Sequence, residues 1–561
     1  MIQRRDALAA FESDRFDVVV IGGGITGAGT ALDAGTRGYS VALVERADYA
    51  AGTSSRSSKL VHGGLRYLQQ FDLGLVREAL LERAVLVQLA PHLVRPLPML
   101  VPFFGGKRPH RLTGVGLNMY DAMAREIRMP GRRGDDPEEW SPDRHRVIEG
   151  DEVTELLPAL AEREPTSAYL FYDCQTDDVR LVFTVLGEAE RFGAVCANRC
   201  QALELLEHEG RAAGVRCRDL VSGGEVEIRG DTVVNATGVW ADRIKPEELY
   251  AEEDVPRIRP SRGTHITVAR EDLSIQAGAI VPAGGGRTIF ALPWLGRTLI
   301  GTTDNDYDGG LDHVPPDPGD VDYLLEATNE YFHSSLGREQ LTGAYAGVRP
   351  LIEIGDNKKS VDISRRAELF ETSSGLITIT GGKLTTWRRM AKMVVDRIVE
   401  RDGREAPCRT HEIPLGQPAA DDDLIDVDGV GDDTKALFAH RYGHAAREVL
   451  EVAASDPRLA RRITQDLPDL VAEAPFAARN EQAGSVADVL LRRTRAGLLD
   501  VPALVGAGAE APRAVAEAMG AELGWDAERI ERELAAWQET AAAEGIDARE
   551  PAIIPAGSPE R

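Results

Sequence analysis

The segment FDVVVIGGGITGAG, residues 16–29, limits the fold of this 561-residue chain more than any other. Phe16–Ile21 is a short β-branched run bounded by glycines, the pattern of a parallel strand buried on both faces. Gly22, Gly24 and Gly27 then set the spacing GxGxxG around Ile25 and Thr26, and an alanine-rich helical stretch runs to about Arg37. Tyr39–Glu45 (YSVALVE) reads as the second strand of a βαβ unit of about 30 residues. In such a unit the first glycine permits the tight turn. The second lets a pyrophosphate approach the backbone, and the third lets the helix pack on the strand. The helix N-terminus offers unpaired N–H groups and a positive dipole end to the anion. Glu45 lies 18 residues past Gly27, where a carboxylate that takes ribose hydroxyls belongs, and this favours an unphosphorylated ribose. The motif selects a dinucleotide and leaves FAD and NAD both open.

The next segment narrows the choice. Thr53, Ser54, Ser55, Ser58 and Lys59 form a hydroxyl-rich loop, followed by Val61-His62-Gly63-Gly64-Leu65-Arg66-Tyr67. Such a loop suits a pyrophosphate and a flavin, and the lysine, histidine, arginine and tyrosine suit an anionic substrate. Asn235-Ala236-Thr237-Gly238-Val239-Trp240 ends a strand and would bring backbone near the cofactor. Gly381-Gly382-Lys383-Leu384-Thr385-Thr386-Trp387 starts a helix, whose N–H groups and dipole could stabilise negative charge on a reduced flavin, with Lys383 adding a full charge. Arg349 in GVRP and Arg365 in Ser364-Arg365-Arg366 could clamp a phosphate. His62 is the candidate base because imidazole titrates near neutrality, and His265 is a second candidate.

Composition excludes several classes. Ninety-one acidic and 65 basic side chains leave a net charge of −26, which disfavours nucleic acid as a partner. The five cysteines, with no CxxC pair, argue against a disulfide framework and an iron–sulfur cluster. No stretch reads as a transmembrane helix, and no metal site is expected. The acidic run at 421–428 lacks the glycine and closing glutamate of an EF-hand. Residues 75–90 read as an amphipathic helix, and the proline-rich 91–110 as a loop or short strands. Within it, Phe103–Phe104 beside KRPHR at 107–111 is a candidate membrane contact. Residues 257–303 are dense in strand patterns and read as an antiparallel sheet. After about 403 an acidic linker precedes helical segments, expected as a separate C-terminal domain.

Taken together, IGGGITGAG, GTSSRSSKLVHGGLRYL, YDCQTDDVRL, VNATGVWAD, GTTDNDY, GVRPL and TGGKLTTWRRMA resemble the FAD-dependent glycerol-3-phosphate dehydrogenases, relatives of the D-amino-acid oxidase group. The strings lie in the family's order over residues 18–392, and VADVLLRRTRAGL resembles its C-terminal cap. The resemblance implies an α/β fold: a Rossmann-like FAD-binding domain, an antiparallel-sheet substrate domain and a C-terminal α-helical domain. Residues 1–402 would form the oxidoreductase region. Its FAD-binding segments would be about 16–90, 151–245 and 345–402, and its substrate segments about 91–150 and 246–344. Residues 403–545 would be helical and 546–561 a disordered tail. The implied reaction takes sn-glycerol 3-phosphate to dihydroxyacetone phosphate, with hydride passing from C2 to N5 of FAD and electrons going on to a respiratory quinone. Arg349 and Arg365 would hold the phosphate, and His62, Arg66, Tyr67 and Lys383 would line the pocket. Gly382, Leu384 and Thr385 would meet the flavin. The lack of a C-terminal cysteine set favours the aerobic type, and the lack of an EF-hand the bacterial form. A peripheral site on the inner face of the cell membrane, with a cytoplasmic location, follows from the quinone, and a homodimer is a candidate assembly. The rival readings are an oxidase that makes hydrogen peroxide, another FAD-dependent amine or hydroxy-acid oxidoreductase, and a flavin-binding protein without turnover.

Overall fold

The computed structural model describes residues 2–64, 72–106, 111–125, 144–244, 257–352, 366–506 and 508–550. The opening βαβ unit forms as its pattern requires: strand Arg15–Ile21, helix Ile25–Thr36 and strand Val41–Val44. Val18 to Ile21 pair in parallel with Val41 to Val44 on one side, and with Thr232 to Asn235 on the other. Val18, Val19 and Val20 are fully buried. Each contributes about 1.5–3 kcal/mol by leaving water. Among the described residues this sheet has eight strands. Its central path runs Ala367–Glu371, Ile377–Gly381, Glu225–Asn235, Arg15–Ile21, Val41–Val44, Val195–Ala197, and an antiparallel extension carries Cys200–His208 and Arg211–Asp219. Helix Ile25–Thr36 lies against helices Asp178–Arg191 and Trp387–Asp402. Gly29 allows the second contact, since a methyl there would sit 2.5 Å from the Trp387 ring.

Among the described residues a second sheet has ten strands and is antiparallel except where Gly278–Pro282 meets Arg95–Phe104. Arg95–Phe104 was expected as a loop or short strands because of its prolines, yet it is one strand paired along its length with Pro165–Gln175. The physical reason is parity. Pro96, Pro98 and Pro102 are an even number of positions apart, so their missing N–H groups all fall on one edge and the other edge keeps its donors. Phe103 packs edge-to-face on Tyr169, and Phe104 on Tyr331 beneath the Arg163 guanidinium. Both rings are half-buried, with part of their surface taken up by these internal contacts. The neighbouring 107–110 lies outside the described residues.

The expected C-terminal helices form, and they share a core with the second sheet. Leu97, Met99, Phe171, Leu292 and Trp294 pack in one cluster with Val486, Leu490, Leu498 and Trp537. Residues 546–550, expected to begin a disordered tail, are instead held down: Ile546 is buried and its carbonyl accepts the Ala344 N–H at 3.0 Å. An apolar side chain with a place in the core outweighs the polar composition around it. Residues 551–561 lie outside the described residues.

Candidate functional site

The C-terminal ends of the parallel strands open onto a cavity of about 800 Å³ between the two sheets. A crevice at that end of a doubly wound sheet is where such folds bind ligands. Gly22, at φ +113°, makes the turn out of the first strand, and a Cβ there would lie 2.6 Å from the Ala236 carbonyl. Gly24, Ile25 and Thr26 line the cavity at the helix start. Gly27 does not; its role is packing, with its Cα against the Gly22 carbonyl. Ser54 Oγ accepts the Ile25 N–H at 3.0 Å, so the hydroxyl-rich loop is tied to the helix N-terminus. Glu45 accepts from Gly23 N at 2.7 Å and from Ala47 N at 2.8 Å. Burial raises its carboxyl above the usual range, partly offset by those two N–H groups. A carboxylate has about four acceptor positions, so two remain for ribose hydroxyls.

Thr53, Ser54 and Ser58 line the cavity, whereas Ser55 and Lys59 do not. Lys59 is fully buried behind the loop, its Nζ donating to the Ser55 carbonyl and to Asp178 Oδ2, both at 2.7 Å, between the rings of Trp294 and Tyr345. Burial draws this ammonium down to about 7 against the pull of Asp178. It holds the loop from below and does not reach a substrate. His62 and Gly64 line the cavity. Gly63 points away, its N–H donating to Tyr120 Oη at 2.9 Å and to Asp173 Oδ1 at 3.2 Å. Asp173 in turn accepts from Tyr120 and from buried Arg83, each at 2.6 Å. Arg66, Tyr67 and Arg365 lie outside the described residues.

Thr237, Gly238 and Trp240 form part of the wall. So do Gly382, Lys383, Leu384 and Thr385, where Gly381 and Gly382 turn the chain at φ +77° and +71° into helix Trp387–Asp402. The His62 N–H donates to Thr385 Oγ1 at 3.2 Å, which joins the two flavin-side strings. His265 lies flat on Tyr345, ring centroids 4.7 Å apart, with Nε2 2.8 Å from Ser58 Oγ. Burial, then Lys59 and Arg349, push its pKa well below the usual imidazole value, so it stays neutral and is a poor proton acceptor.

Arg349 donates through Nη2 to Thr302 Oγ1 at 3.1 Å and to the Thr303 carbonyl at 3.2 Å, and Nη1 lies 3.5 Å from Asp304. Gly263 leaves the groove for this guanidinium, since a Cβ there would be 2.5 Å from Nη2. The Thr302–Asp304 segment lies in the GTTDNDY string that resembles the family, and it was not expected in the site. Its signal was a hydroxyl pair next to a carboxylate at a strand end. Arg56 was missed as well. It lines the cavity, and its Nη2 meets Glu544 near the C-terminus at 2.7 Å.

These residues fit a flavin dinucleotide. Trp240 Nε1 and His265 Nδ1 are buried polar atoms without a partner among the described residues, and both side chains stand on the cavity wall. Gly24 keeps clear the space at the anion-binding end, where a Cβ would come within 3.0 Å of Ser54 Oγ.

Known proteins agree with this geometry. Residues 17–397 match the family described as FAD dependent oxidoreductase, and residues 381–530 match the C-terminal domain of alpha-glycerophosphate oxidase. Glycerol-3-phosphate dehydrogenase 2 of Mycobacterium tuberculosis is 37% identical over 558 residues, covering 98% of this chain and 92% of that protein. The aerobic glycerol-3-phosphate dehydrogenase of Bacillus subtilis is 33% identical over 521 residues, covering 89% and 90%. The crystal structure of glycerol-3-phosphate dehydrogenase from Bacillus halodurans complexed with FAD superposes with a TM-score of 0.76 at 28% identity, covering 98% of each chain. With identity sustained across nearly its whole length and a cavity shaped for the dinucleotide, this chain belongs to the FAD-dependent oxidoreductases, and within them to the glycerol-3-phosphate dehydrogenases.

Proposed function

We propose that the protein oxidises sn-glycerol 3-phosphate to dihydroxyacetone phosphate and passes the electrons to a respiratory quinone. The observation that carries this reading is the Arg349 guanidinium, fixed by Thr302, Thr303 and Asp304 on the same wall as the dinucleotide site. A planar fork held in this way suits a phosphate better than a mobile ammonium does. FAD, when bound, supplies the two-electron acceptor for the C2 hydride. Arg349 binds the phosphate end, with Arg365 as its proposed partner. His62, half-buried on the cavity wall, takes the proton of the C2 hydroxyl, since His265 is held neutral by burial. Lys383, Leu384 and Thr385 stand on the cavity wall at the start of the turn into the helix, and they stabilise negative charge that develops there. The names of the relatives, glycerol-3-phosphate dehydrogenases, support the substrate.

The test is a visible spectrum recorded without oxygen before and after adding sn-glycerol 3-phosphate. The flavin bands should bleach. Bands that persist would refute the substrate and turn attention to amino and hydroxy acids, and hydrogen peroxide released on turnover in air would replace the quinone with oxygen.

A quinone acceptor places the protein at a membrane surface, and no described helix is long and apolar enough to cross one. The contact we infer is helix Arg111–Arg125. Its inward face buries Leu117 and Tyr120, the latter bonded to Gly63 beside the cavity. Its outward face leaves Val115 56% and Met119 38% exposed. One helix thus runs from the site loop to an apolar surface stripe. A Val115→Asp, Met119→Asp variant should stay in the supernatant when membranes are sedimented, with its flavin retained. Co-sedimentation equal to the unaltered protein would remove this helix from the membrane contact.

A further inference from the structure

The string Val486–Leu499 has no part in the chemistry above, yet it holds two arginines with no exposed side-chain surface, Arg493 and Arg495. Fully buried arginines are rare because stripping a guanidinium of water is costly, and they persist only where carboxylates meet them with good geometry. Glu481 and Asp177 stand beside the pair, but the carboxylates that take its closest bonds, Asp48 and Asp178, are tied to segments that shape the dinucleotide site.

Arg493 forks onto Asp48, with Nη1 to Oδ2 at 2.8 Å and Nη2 to Oδ1 at 3.1 Å, and its guanidinium covers the Phe183 ring at 3.9 Å. Arg492 Nε adds a bond to Asp48 Oδ2 at 2.6 Å. Asp48 stands three positions after Glu45 and also accepts the Asn198 side-chain amide at 3.1 Å. Its place therefore fixes the turn that presents the ribose carboxylate. Arg495 donates to Asp178 Oδ1 at 2.7 Å. The other oxygen of Asp178 accepts from Lys59 Nζ and from Ser57 Oγ, both at 2.7 Å. Lys59 in turn holds the Ser55 carbonyl, at the end of the short turn that carries Thr53 and Ser54. One arginine thus sets the loop after the second strand, and the other sets the hydroxyl-rich loop that ties down the Ile25 N–H.

We propose that Arg493 and Arg495 are positioning residues for the cofactor: the C-terminal helices are part of the FAD-binding apparatus and hold its two loops in the conformation that receives the dinucleotide. The proposal rests on the cavity being the FAD site. Lysine at either position keeps the charge and loses the fork, so it lets the loop shift without leaving a carboxylate unpaired.

The test compares Arg493→Lys and Arg495→Lys with Arg441→Lys. Arg441 is as deeply buried and belongs to the same ion network, with Asp469 at 2.6 Å, Glu473 at 2.5 Å and the Thr494 carbonyl at 3.0 Å, but it touches neither loop. Purified holoenzyme is diluted, the appearance of free-FAD fluorescence is timed, and thermal unfolding is recorded alongside. Arg493→Lys and Arg495→Lys should release FAD roughly tenfold faster or more, while Arg441→Lys lowers the unfolding temperature and releases FAD at the unaltered rate. Release that simply follows the loss of thermal stability in all three, or that changes in none, would overturn the proposal and leave the arginines a purely structural role. If the lysine variants do not accumulate as folded protein, Asp48→Asn probes the same contact from the loop side with no change of shape, and an unchanged release rate there overturns the proposal equally. Unaltered protein that neither carries flavin nor takes it up would instead refute the site itself.

Discussion

Arg349→Ala should reduce kcat/KM for sn-glycerol 3-phosphate by roughly 10²–10³, while flavin content and unfolding temperature stay close to those of the unaltered protein. A hydrogen bond to a charged group contributes about 1.5–3 kcal/mol, so two parallel bonds to a phosphate, after their mutual overlap, put the loss near 3–4 kcal/mol. A buried arginine removed from a carboxylate would normally also cost stability. Here that cost is small, because Asp304 retains the Ser261 hydroxyl at 2.5 Å and Arg349 is itself partly exposed on the cavity wall. The loss should fall mainly on KM, since the phosphate is remote from C2 and is bound in ground state and transition state alike. Arg349→Lys should recover part of the activity, because it returns the charge without the fork. Steady-state kinetics over a range of substrate concentrations decides this. A KM within twofold of the unaltered value would remove Arg349 from the phosphate site.

Some of this was readable in the sequence and some was not, for different physical reasons. The nucleotide turn was legible because its requirements are local. Gly22 must adopt a positive φ, Gly24 must leave room for an anion, and both follow from short spacing between one strand and one helix. The strand Arg95–Phe104 was harder, since three prolines argue against a strand until their common parity is set beside a partner about 70 residues away. Lys59 shows the limit more sharply. Within a run of hydroxyls it reads as a ligand for an anion, and only the distant Asp178, Trp294 and Tyr345 turn it into the floor of the loop. Gly63 was assigned to the cofactor for the same reason, until Tyr120 and Asp173 claimed its N–H. The sharing of a core by Trp294 and Trp537 was likewise illegible, because an acidic linker between two patterned regions looks the same whether or not the regions later pack together. Period and spacing report what a segment does to itself, and burial partners far along the chain decide the rest.

Gly27→Ala should abolish stable cofactor binding. The position lies in the first turn of helix Ile25–Thr36, where alanine would by itself favour the helix by about 1 kcal/mol over glycine. Packing reverses that sign. An added Cβ would lie 1.9 Å from the Gly22 carbonyl oxygen and 3.0 Å from its carbon, both backbone atoms of the turn that leaves the first strand. Neither can rotate aside, so the helix must withdraw from the turn by more than about 1 Å, at a cost of about 1–3 kcal/mol for overpacking. The larger consequence is at the site. The same helix carries the N–H of Ile25 and the wall residues Gly24 and Thr26, so withdrawal moves the anion-binding donors off the position that the Ser54 hydroxyl now fixes. Gly24→Ala offers the contrast, since its Cβ would meet only the Ser54 hydroxyl, at 3.0 Å, and a side chain can turn away. The Gly24 variant should therefore fold at nearly the normal unfolding temperature and lose flavin only through lost room for the pyrophosphate, whereas the Gly27 variant should lose flavin and several degrees of stability together. The ratio of flavin absorbance to protein, measured with thermal unfolding for both, separates the two causes. Full flavin occupancy in Gly27→Ala would mean that the helix has slack the close-packed turn does not show, and the anion-binding role of its first turn would have to be abandoned.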